Sequence, residues 1–425
     1  MSNRVVITGL GVVSSNGIGI SDFKEAIKKG KSGIKFIPRL KELNFECQIG
    51  GEPEIPDDLV KEYFTPLELR RFNSSGILYG VIAGMDAWKD AGLNFPGPNQ
   101  EPDWDSGGVM GIGSIAAEKY REGIQSIEDG KCRKLGSNYV IQIMPSGLNA
   151  YLIGKLGLGN QVTTNSSACA TGTESILMAY DRIKTGKAKR MLACSTNDNG
   201  PFVWGGFDAL RVTNYKQNHE PEKASQPMGE FASGFVPGSG AGALVLESLE
   251  SAQERGAHIY AEILGGHINS GGQMQDGSMT LPNSTGVQRC IKEAIKDAGI
   301  EAKDIDLING HLTSTGKCGL EIQNWSEALN RKGSEFPYIT ALKSMIGHAL
   351  GAAGTIESVA AILQLTEGFL IPNLNTEHID PKIKELIDED KISRTYEKKD
   401  LNIIAKSSFG FGDVNACVIF RKFDM

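Results

Sequence analysis

Apolar residues along the chain follow two different spacings, and these predict strands and helices in turn. Short apolar runs bounded by glycine or polar residues are typical of buried strands, whereas apolar residues that recur every three or four positions are typical of helices. The strand-like runs cover 5–11, 108–115, 190–195, 234–247, 258–264, 306–310, 338–342, 402–408 and 416–420. The helical spacings cover 22–29, 74–90, 116–136, 145–157, 248–255, 286–298 and 351–365. Because the two kinds of segment alternate, the pattern predicts a layered α/β fold.

These segments form two comparable sets. The first set lies in residues 1–256 and the second in residues 257–425, and each contains several strands and helices. Residues 31–66 read as loops with small elements, and residues 196–233 read as an irregular connection. No sequence identity is visible between the halves, so the pattern by itself does not establish an internal duplication.

The first half contains a candidate nucleophile. The stretch Thr163–Met178, TTNSSACATGTESILM, passes from β-branched residues through small residues into a helical spacing. It predicts a strand, a tight turn and a helix, with Cys169 at or just before the first helical turn. Free backbone N–H groups and the helix dipole favour a thiolate there, and the same N–H groups can hold an oxyanion. The alternative is a small buried cysteine that packs against the helix start.

Composition excludes several classes of function. The net charge is −7 and basic residues form no long run, so nothing favours nucleic-acid binding. The seven cysteines are scattered and include no CxxC pair, which argues against zinc ligation and a disulfide framework and favours a reducing compartment. The start, MSNRVVITGLGVV, lacks the layout of a signal peptide, and no apolar run approaches the roughly 20 residues of a membrane span. We therefore expect a cytoplasmic protein.

Three further junctions between a strand and a loop contain candidate active-site residues. They are NGHLTSTG (309–316), KSMIGH (343–348) and SSFGFG (407–412). Each has an ordinary interpretation alone, but active sites of α/β proteins lie at such strand ends, and two of the six histidines fall here. A nucleotide site at the glycines of 234–247 is disfavoured, because they precede a strand instead of joining a strand to a helix. A Cys–His–carboxylate triad finds no aspartate at a matching junction.

In this order, the motifs resemble one family. ACATGTESI around Cys169, GHLTSTG, KSMIGHALGAAG and SFGFG are joined by VVITGLGVVSSNG at the start and by GFVPGSGAGALVLE. The chain resembles the β-ketoacyl-acyl-carrier-protein synthases of the elongating KAS I/II type, members of the thiolase superfamily, over nearly its whole length. The resemblance implies a thiolase-like duplicated α-β-α-β-α five-layered sandwich that forms a dimer.

The same resemblance implies a reaction. Cys169 would take an acyl group from an acyl-carrier protein, malonyl-carrier protein would lose CO2, and the enolate would attack the acyl-cysteine. The resemblance implies Cys169 as nucleophile, His311 and His348 as catalytic histidines, and Lys343 and Glu357 as supporting charges. Thr313 and Thr315 would contact the phosphopantetheine arm. Phe411 would be the gate, and its N–H would form the oxyanion hole with that of Cys169. No metal, nucleotide or bound cofactor is implied, since the substrates travel on 4′-phosphopantetheine.

Other residues match positions around the substrate. Ile115 matches the acyl pocket, and Phe207 lies near the entrance. Five basic residues match positions that flank the entrance and would dock the acidic carrier protein: Arg70, Arg71, Arg133, Lys134 and Arg211. The alternative is that these five are ordinary solvated surface charges.

The chain also departs from the family pattern. Leu312 and Asp413 stand where the family has glycine, and Phe231-Ala232-Ser233 replaces an acidic–basic run. These changes leave the reaction intact but could reshape the acyl pocket or the gate, so polyene or other polyketide intermediates are candidate substrates besides fatty acids.

Two other kinds of protein are disfavoured. Thiolases and CoA-primed initiating synthases use a Cys-His-Cys or Cys-His-Asn set, unlike the pair of histidine motifs here. A chain-length factor lacks the nucleophile that Cys169 supplies. The active half of a ketosynthase/chain-length-factor heterodimer remains an alternative to a homodimer.

Overall fold

The alternating segments build a large mixed sheet of 11 strands, two small two-stranded sheets and helices that pack on the large sheet. The computed structural model describes residues 3–423. Strands of the first half are β1 (Val5–Ser14), β2 (Gly17–Ile18), β3 (Ile34–Phe36), β4 (Ile49–Gly51), β5 (Ser106–Ile112), β6 (Val162–Asn165), β7 (Arg190–Asn197) and β8 (Gly240–Ser248). Its helices are α1 (Ile20–Lys28), α2 (Pro38–Glu42), α3 (Asp57–Tyr63), α4 (Ser75–Asp90), α5 (Ala117–Glu128), α6 (Tyr139–Ile143), α7 (Gly147–Leu156), α8 (Thr171–Lys184), α9 (Pro201–Ala209) and α10 (Leu249–Glu254).

The second half repeats this plan on a smaller scale. Its strands are β9 (Ala261–Ser270), β10 (Leu307–Asn309), β11 (Tyr338–Thr340), β12 (Phe369–Leu370), β13 (Glu397–Lys398), β14 (Ile403–Gly410) and β15 (Val414–Lys422). Its helices are α11 (Ser284–Ala298), α12 (Cys318–Leu329), α13 (Lys343–Ile346), α14 (Ala353–Glu367) and α15 (Pro381–Lys384).

Both halves share one strand order. The first half runs β6-β5-β7-β8-β1 and the second runs β11-β10-β14-β15-β9. Counted along the chain, both orders are third, second, fourth, fifth, first. The directions also agree, since β5 and β10 each have two parallel neighbours and the remaining pairs are antiparallel. The halves are therefore structural duplicates, and antiparallel pairing of β1 with β9 joins them into one ladder.

Side chains of each strand alternate between two apolar layers. On β7, Leu192 and Cys194 pack in the cluster that contains α4 and α7, while Met191 and Ala193 pack in the cluster that contains α8 and α14. In the second half, β15 divides its side chains in the same way between α8 and α14 on one face and α11 and α12 on the other. The order of layers is therefore α-β-α-β-α. Strands covered on both faces explain the continuous apolar runs in the sequence.

The middle layer consists of α8 and α14, whose N-terminal turns meet backbone to backbone. A Cβ atom on Gly354 would lie 2.3 Å from the backbone nitrogen of Thr173, and one on Gly172 would lie 2.6 Å from that of Thr355. The hydroxyl groups of Ser195 and Thr355 form a hydrogen bond of 2.6 Å beside this contact. Only glycine leaves room for the two helix starts at this separation.

Two of the differences between the structure and the sequence-based elements affect the site. Residues 196–233 were expected to be irregular, but α9 begins at Pro201, where the fixed φ of proline suits a first helical turn. Helix α12 was not anticipated, although Ile322, Trp325 and Leu329 are buried at three- and four-residue steps that predict it. Among residues 3–423, no helix has both the length and the apolar character needed to cross a bilayer.

Substituting Gly354 tests the contact between the middle helices. We expect Gly354→Ala to lower the free energy of unfolding by about 1–3 kcal/mol, because the methyl group must separate α8 from α14. Gly154→Ala is the matched control, since Gly154 is an exposed position of α7 with no atom within 4 Å of its added Cβ. The control should be neutral or stabilise by up to about 1 kcal/mol. Urea unfolding measures both, and equal stability of the two variants would contradict the tight contact.

Candidate active site

Cys169 lies in a single 3₁₀ turn, Ala168–Ala170, that leads directly into α8. The Thr171 hydroxyl stabilises this turn, because it accepts the N–H of Ser167 at 2.8 Å and donates to the carbonyl of Ala168 at 2.7 Å. Ala168 has a left-handed φ of 47°. The thiol is 8% exposed and faces a cavity, in the position at the helix start that the sequence predicts.

The Cys169 thiol also faces backbone donors. The N–H groups of Phe411 and of Cys169 itself point at the sulfur and lower its pKa. The turn after β14 can approach this closely because residue 410 is glycine, where a Cβ would lie 3.1 Å from the Cys169 nitrogen. Two N–H groups converging on one point form the geometry that holds an oxyanion.

Burial, however, decides the charge of this thiol. Desolvation raises the pKa of Cys169 to about 11, although Lys343 and the Phe411 N–H act in the opposite direction. The expectation that the helix start makes Cys169 a thiolate is therefore wrong for the unliganded site, since burial outweighs the favourable groups. The resting nucleophile is a thiol.

His348 points its ring at Cys169. Its Nε2 lies 3.1 Å from the sulfur, and its Nδ1 accepts the backbone N–H of Leu350 at 3.1 Å. Burial, aided by Lys343, lowers the pKa of His348 well below its usual value, so the ring is neutral. A neutral imidazole that accepts at Nδ1 carries its proton on Nε2. His348 is therefore a hydrogen-bond donor toward Cys169.

His311 lies beside His348, with the ring centroids 5.3 Å apart and the planes at 81°. It follows β10, and burial lowers its pKa well below the usual value, with Lys343 as the next cause. Glu321 of α12 holds this loop, because it accepts the backbone N–H groups of His311 and Leu312 at 2.6 and 2.7 Å. Neither Glu321 nor the helix α12 that carries it was predicted from the sequence.

A buried ion group lies behind the histidines. Lys343 donates to Oε1 of Glu357, and Lys406 of β14 lies 2.8 Å from Oε2 of the same carboxylate. All three side chains are at most 2% exposed. The resemblance implies Lys343 and Glu357 as supporting charges, but Lys406 was not predicted. A lysine inside the apolar strand IIAKSSFG was a usable signal, because a fully buried lysine requires a partner.

A cavity of about 420 Å³ opens onto this site. Thr313 and Thr315 line it, with their hydroxyl oxygens 3.1 Å apart. Phe207 lines it from α9, 6.1 Å from the ring of Phe411 between centroids. Arg211 and Lys317 bring two exposed positive side chains to the same cavity.

Ile115 does not line this cavity. Its side chain is half-buried and packs against the apolar cluster around α4 and α7. Its assignment to an acyl pocket therefore stays a prediction from the resemblance.

Cys169, His311 and His348 also have the donor types of a metal site. The sulfur and one ring nitrogen of each histidine lie within 4.8 Å of one another. Zinc binds such groups when the nitrogen is unprotonated. The Leu350 N–H instead leaves the proton of His348 on the nitrogen nearest the sulfur, which is the state of a donor. The absence of a metal from the working site remains a prediction.

Family models cover most of the chain. The model "Beta-ketoacyl synthase, N-terminal domain" matches residues 2–252, and "Beta-ketoacyl synthase, C-terminal domain" matches residues 260–377. The chain belongs to the β-ketoacyl synthase family. It is an acyltransferase, and the resemblance found in the motifs is confirmed.

Individual relatives span the whole synthase. A chloroplastic 3-oxoacyl-[acyl-carrier-protein] synthase I of Arabidopsis thaliana is 34% identical over 99% of this chain and 87% of its own length. The 3-oxoacyl-[acyl-carrier-protein] synthase 1 of Escherichia coli K12 is 32% identical over 99% of both chains.

Solved structures agree with these relatives. A β-ketoacyl synthase from Burkholderia phymatum superposes with a TM-score of 0.88 at 30% identity, covering 99% of this chain and all of that one. The ishigamide ketosynthase/chain length factor gives 0.87 at 26%, with full coverage of both chains. A type II polyketide acyl-carrier protein in complex with its ketosynthase bound to the hexaketide gives 0.86 at 28%, again with full coverage of both. The expected thiolase-like fold is confirmed.

The predicted docking residues of the synthase fall into two places. Arg70, Arg71, Arg133 and Lys134 are exposed, and the Arg71 guanidinium donates to the carbonyl of Lys134, which places 70–71 beside 133–134. Arg211 lies apart, at the cavity. None of the five forms an ion pair within the described range 3–423.

Asp413 and Leu312, the two departures from glycine, both have left-handed backbones, with φ of 65° and 25°. The Asp413 carboxylate accepts the backbone N–H groups of Gln273 and Asn283, each at 2.8 Å. The N–H of Gly412 donates to the carbonyl of Met279 at 2.8 Å. The synthase thus fastens the turn of Phe411 to the loop 271–283, whose residues 280–282 line the cavity.

Substituting Asp413 tests this fastening. In Asp413→Gly we expect faster hydrogen exchange in residues 271–283, because two charge-assisted hydrogen bonds are lost. The relief of the left-handed backbone offsets only about 1–2 kcal/mol of that loss. Asp413→Asn retains the shape and one acceptor oxygen, so its exchange should lie between that of wild type and Asp413→Gly. Unchanged exchange in Asp413→Gly would show that backbone contacts alone hold the loop.

Proposed function

We propose that the synthase elongates acyl chains by decarboxylative Claisen condensation of an acyl group on Cys169 with malonyl-acyl-carrier protein. The observation that carries this proposal is the pair of neutral histidines beside a thiol that also faces two backbone N–H groups. Family relatives named as 3-oxoacyl-[acyl-carrier-protein] synthases support the carrier-bound substrates.

Acyl transfer comes first. The sulfur of Cys169 attacks the thioester carbonyl, and the N–H groups of Cys169 and Phe411 stabilise the oxyanion. The bond to the pantetheine sulfur then breaks, and the thiol proton of Cys169 ends on that sulfur. Because the acceptor of this proton is the leaving group, the step needs no histidine as a base.

Condensation follows with the malonyl thioester. Loss of CO2 leaves an enolate whose negative charge lies on the thioester oxygen, within reach of neutral donors at His311 and His348. The enolate carbon attacks the acyl-cysteine carbonyl, and the C–S bond breaks to leave the β-ketoacyl group on the carrier protein. The Cys169 thiolate then takes up a proton from water. Lys343 stabilises that thiolate, since its charge lowers the pKa of Cys169.

The cavity suits a phosphopantetheine arm. The hydroxyls of Thr313 and Thr315 offer hydrogen bonds to its amides, and Arg211 and Lys317 offer positive charge to its phosphate. In this proposal the arm of the carrier protein is the only prosthetic group that enters, and the synthase itself uses no bound cofactor or metal.

The proposed substrates include polyene or polyketide intermediates. Support comes from Leu312 and Asp413, which set the backbone beside the catalytic loop and the gate, and from the ketosynthase structure with a bound hexaketide.

We place the synthase in the cytoplasm, since all seven cysteines are free thiols.

A dimer is part of this proposal. The strand β6 ends the sheet with an open edge, and the nearby helices α5, α6 and α7 expose Ile124, Ile127, Val140 and Ile153. Open edges and apolar surfaces favour association.

A heterodimer with a chain-length-factor subunit is the second candidate, favoured by the match to the ishigamide ketosynthase/chain length factor. The mass of the purified protein in solution, alone and co-expressed with such a subunit, distinguishes the two.

Replacing Cys169 tests the proposed division of labour. Cys169→Ala should lower condensation on the order of 10³-fold or more, because no nucleophile remains. Cys169→Gln should lose condensation in the same way yet still release CO2 from malonyl-carrier protein, because both histidines remain. Labelled CO2 and product mass measure the two steps.

His348→Ala provides the complementary variant. It should slow CO2 release while single-turnover acylation of Cys169, followed by intact mass, continues. If it fails at acylation instead, His348 serves the nucleophile and the division is wrong.

Charge reversal tests carrier docking. Arg133→Glu with Lys134→Glu should raise KM for malonyl-carrier protein about fivefold, equivalent to about 1 kcal/mol, since surface charges contribute modestly and are screened by salt. Turnover of a malonyl-pantetheine thioester should not change. Lys187→Glu with Lys398→Glu is the matched control, because both lysines are exposed and lie outside the cavity. An equal loss on both substrates would place the effect in folding or in the active site.

A further inference from the structure

Lys406 is a fully buried cation to which the motif resemblance assigns no role. Its ammonium contacts three acceptors: Oε2 of Glu357 at 2.8 Å, the Ser408 hydroxyl at 3.1 Å and the carbonyl of Ser407. The Ser408 hydroxyl and the Ser407 carbonyl accept hydrogen bonds from the ammonium, and Oε2 of Glu357 is its ion-pair partner. Burial lowers the pKa of Lys406 from its usual value and the Glu357 carboxylate acts in the opposite direction, so the ion pair with Glu357 is what favours the charged form.

Lys406 shares its counterion. Glu357 also accepts a hydrogen bond from the ammonium group of Lys343, so two ammonium groups face one carboxylate. Glu357 can therefore neutralise only one of the two positive charges. This group lies close to the catalytic loop, because Lys406 pairs across β14 and β10 with Asn309, two residues before His311. Glu321 is a further charged group here: its oxygens accept the backbone N–H groups of 311 and 312, it interacts with both lysines, and burial raises its pKa, which weakens its negative charge as a counterion.

We propose that Lys406 is a positioning residue of the condensation reaction: by sharing Glu357 with Lys343 it maintains a positive charge beside the two histidines, and this charge keeps both imidazole rings neutral. The inference rests on the proposed function, in which the neutral rings are the donors to the enolate. Protonation of either ring would place a second cation next to this charge, which a buried site of low polarity disfavours.

The two lysines share their effect on the histidines but differ in their effect on Cys169. Both lower the pKa of His311 and of His348, in addition to the larger effect of burial. Lys343 also lowers the pKa of Cys169, whereas Lys406 is not among the largest influences on the pKa of that thiol. Removal of Lys406 should therefore change the histidines without changing the nucleophile, and removal of Lys343 should change both.

Histidine NMR measures the rings directly. The chain has six histidines, so ¹³C-labelled histidine gives few signals, and His311→Gln and His348→Gln assign the two of interest. In wild type we expect both rings to stay neutral to the lowest pH at which the protein is folded. In Lys406→Met the pKa values should rise by about half a unit or more, because a neighbouring positive charge is gone.

The pH dependence of catalysis should shift in the same direction as the imidazole pKa values. Since a depressed imidazole pKa rises toward its usual value, the acid limb of malonyl-pantetheine decarboxylation should move to higher pH in Lys406→Met. The pH profile of Cys169 alkylation, measured in a Cys132→Ser background, should stay in place for Lys406→Met and move to higher pH for Lys343→Met. Lys406→Arg retains the charge and should restore the wild-type acid limb.

The outcomes separate three explanations. A lower melting temperature with unchanged imidazole titrations would make Lys406 a structural residue and overturn the proposal, as would an alkylation shift equal to that of Lys343→Met. Lys406→Gln, which can still donate to Glu357, repeats the titration if Lys406→Met does not fold. Wild type that releases no CO2 from malonyl-pantetheine would overturn the proposed function, while the NMR titration would still decide the role of Lys406.

Discussion

The contact between α8 and α14 at the centre of the molecule fixes the geometry of the site. Gly172 and Gly354 let the two helix starts meet backbone to backbone, between the two halves of the large sheet that bury both helices. Cys169 lies two residues before α8, and His348 lies five residues before α14. The distance of 3.1 Å between the sulfur and the imidazole thus depends on a packed interface with little freedom to move.

Burial then sets the protonation states. It raises the pKa of Cys169 and lowers those of His311 and His348, so the resting site contains a thiol and two neutral rings. The two buried lysines behind the histidines, Lys343 and Lys406, are both paired with Glu357. The donors that the reaction needs are therefore oriented before substrate arrives, by backbone groups and buried charges.

Much of the fold was readable from local pattern. Helix α4 was expected at 74–90 and spans Ser75–Asp90, and the motifs around Cys169, His311 and His348 identified the family. Features that depend on tertiary contacts could not be predicted. A lysine within an apolar strand indicates a buried partner, but it does not show that the partner of Lys406 is Glu357, 49 positions away. The charge of Cys169 depends on burial that no local spacing reveals. Helix α12, with Glu321, did carry a readable spacing and was overlooked.

The repeated strand order has a consequence for the origin of the site. Helices α8 and α14 each connect the third strand of their half to the fourth, so Cys169 and His348 precede equivalent helices. A chain of half this length that associated with itself would place two copies of one residue at the symmetry axis. Fusion of two copies into one gene removes that restriction, because each side of the axis can then mutate separately, and a nucleophile can come to face a proton donor.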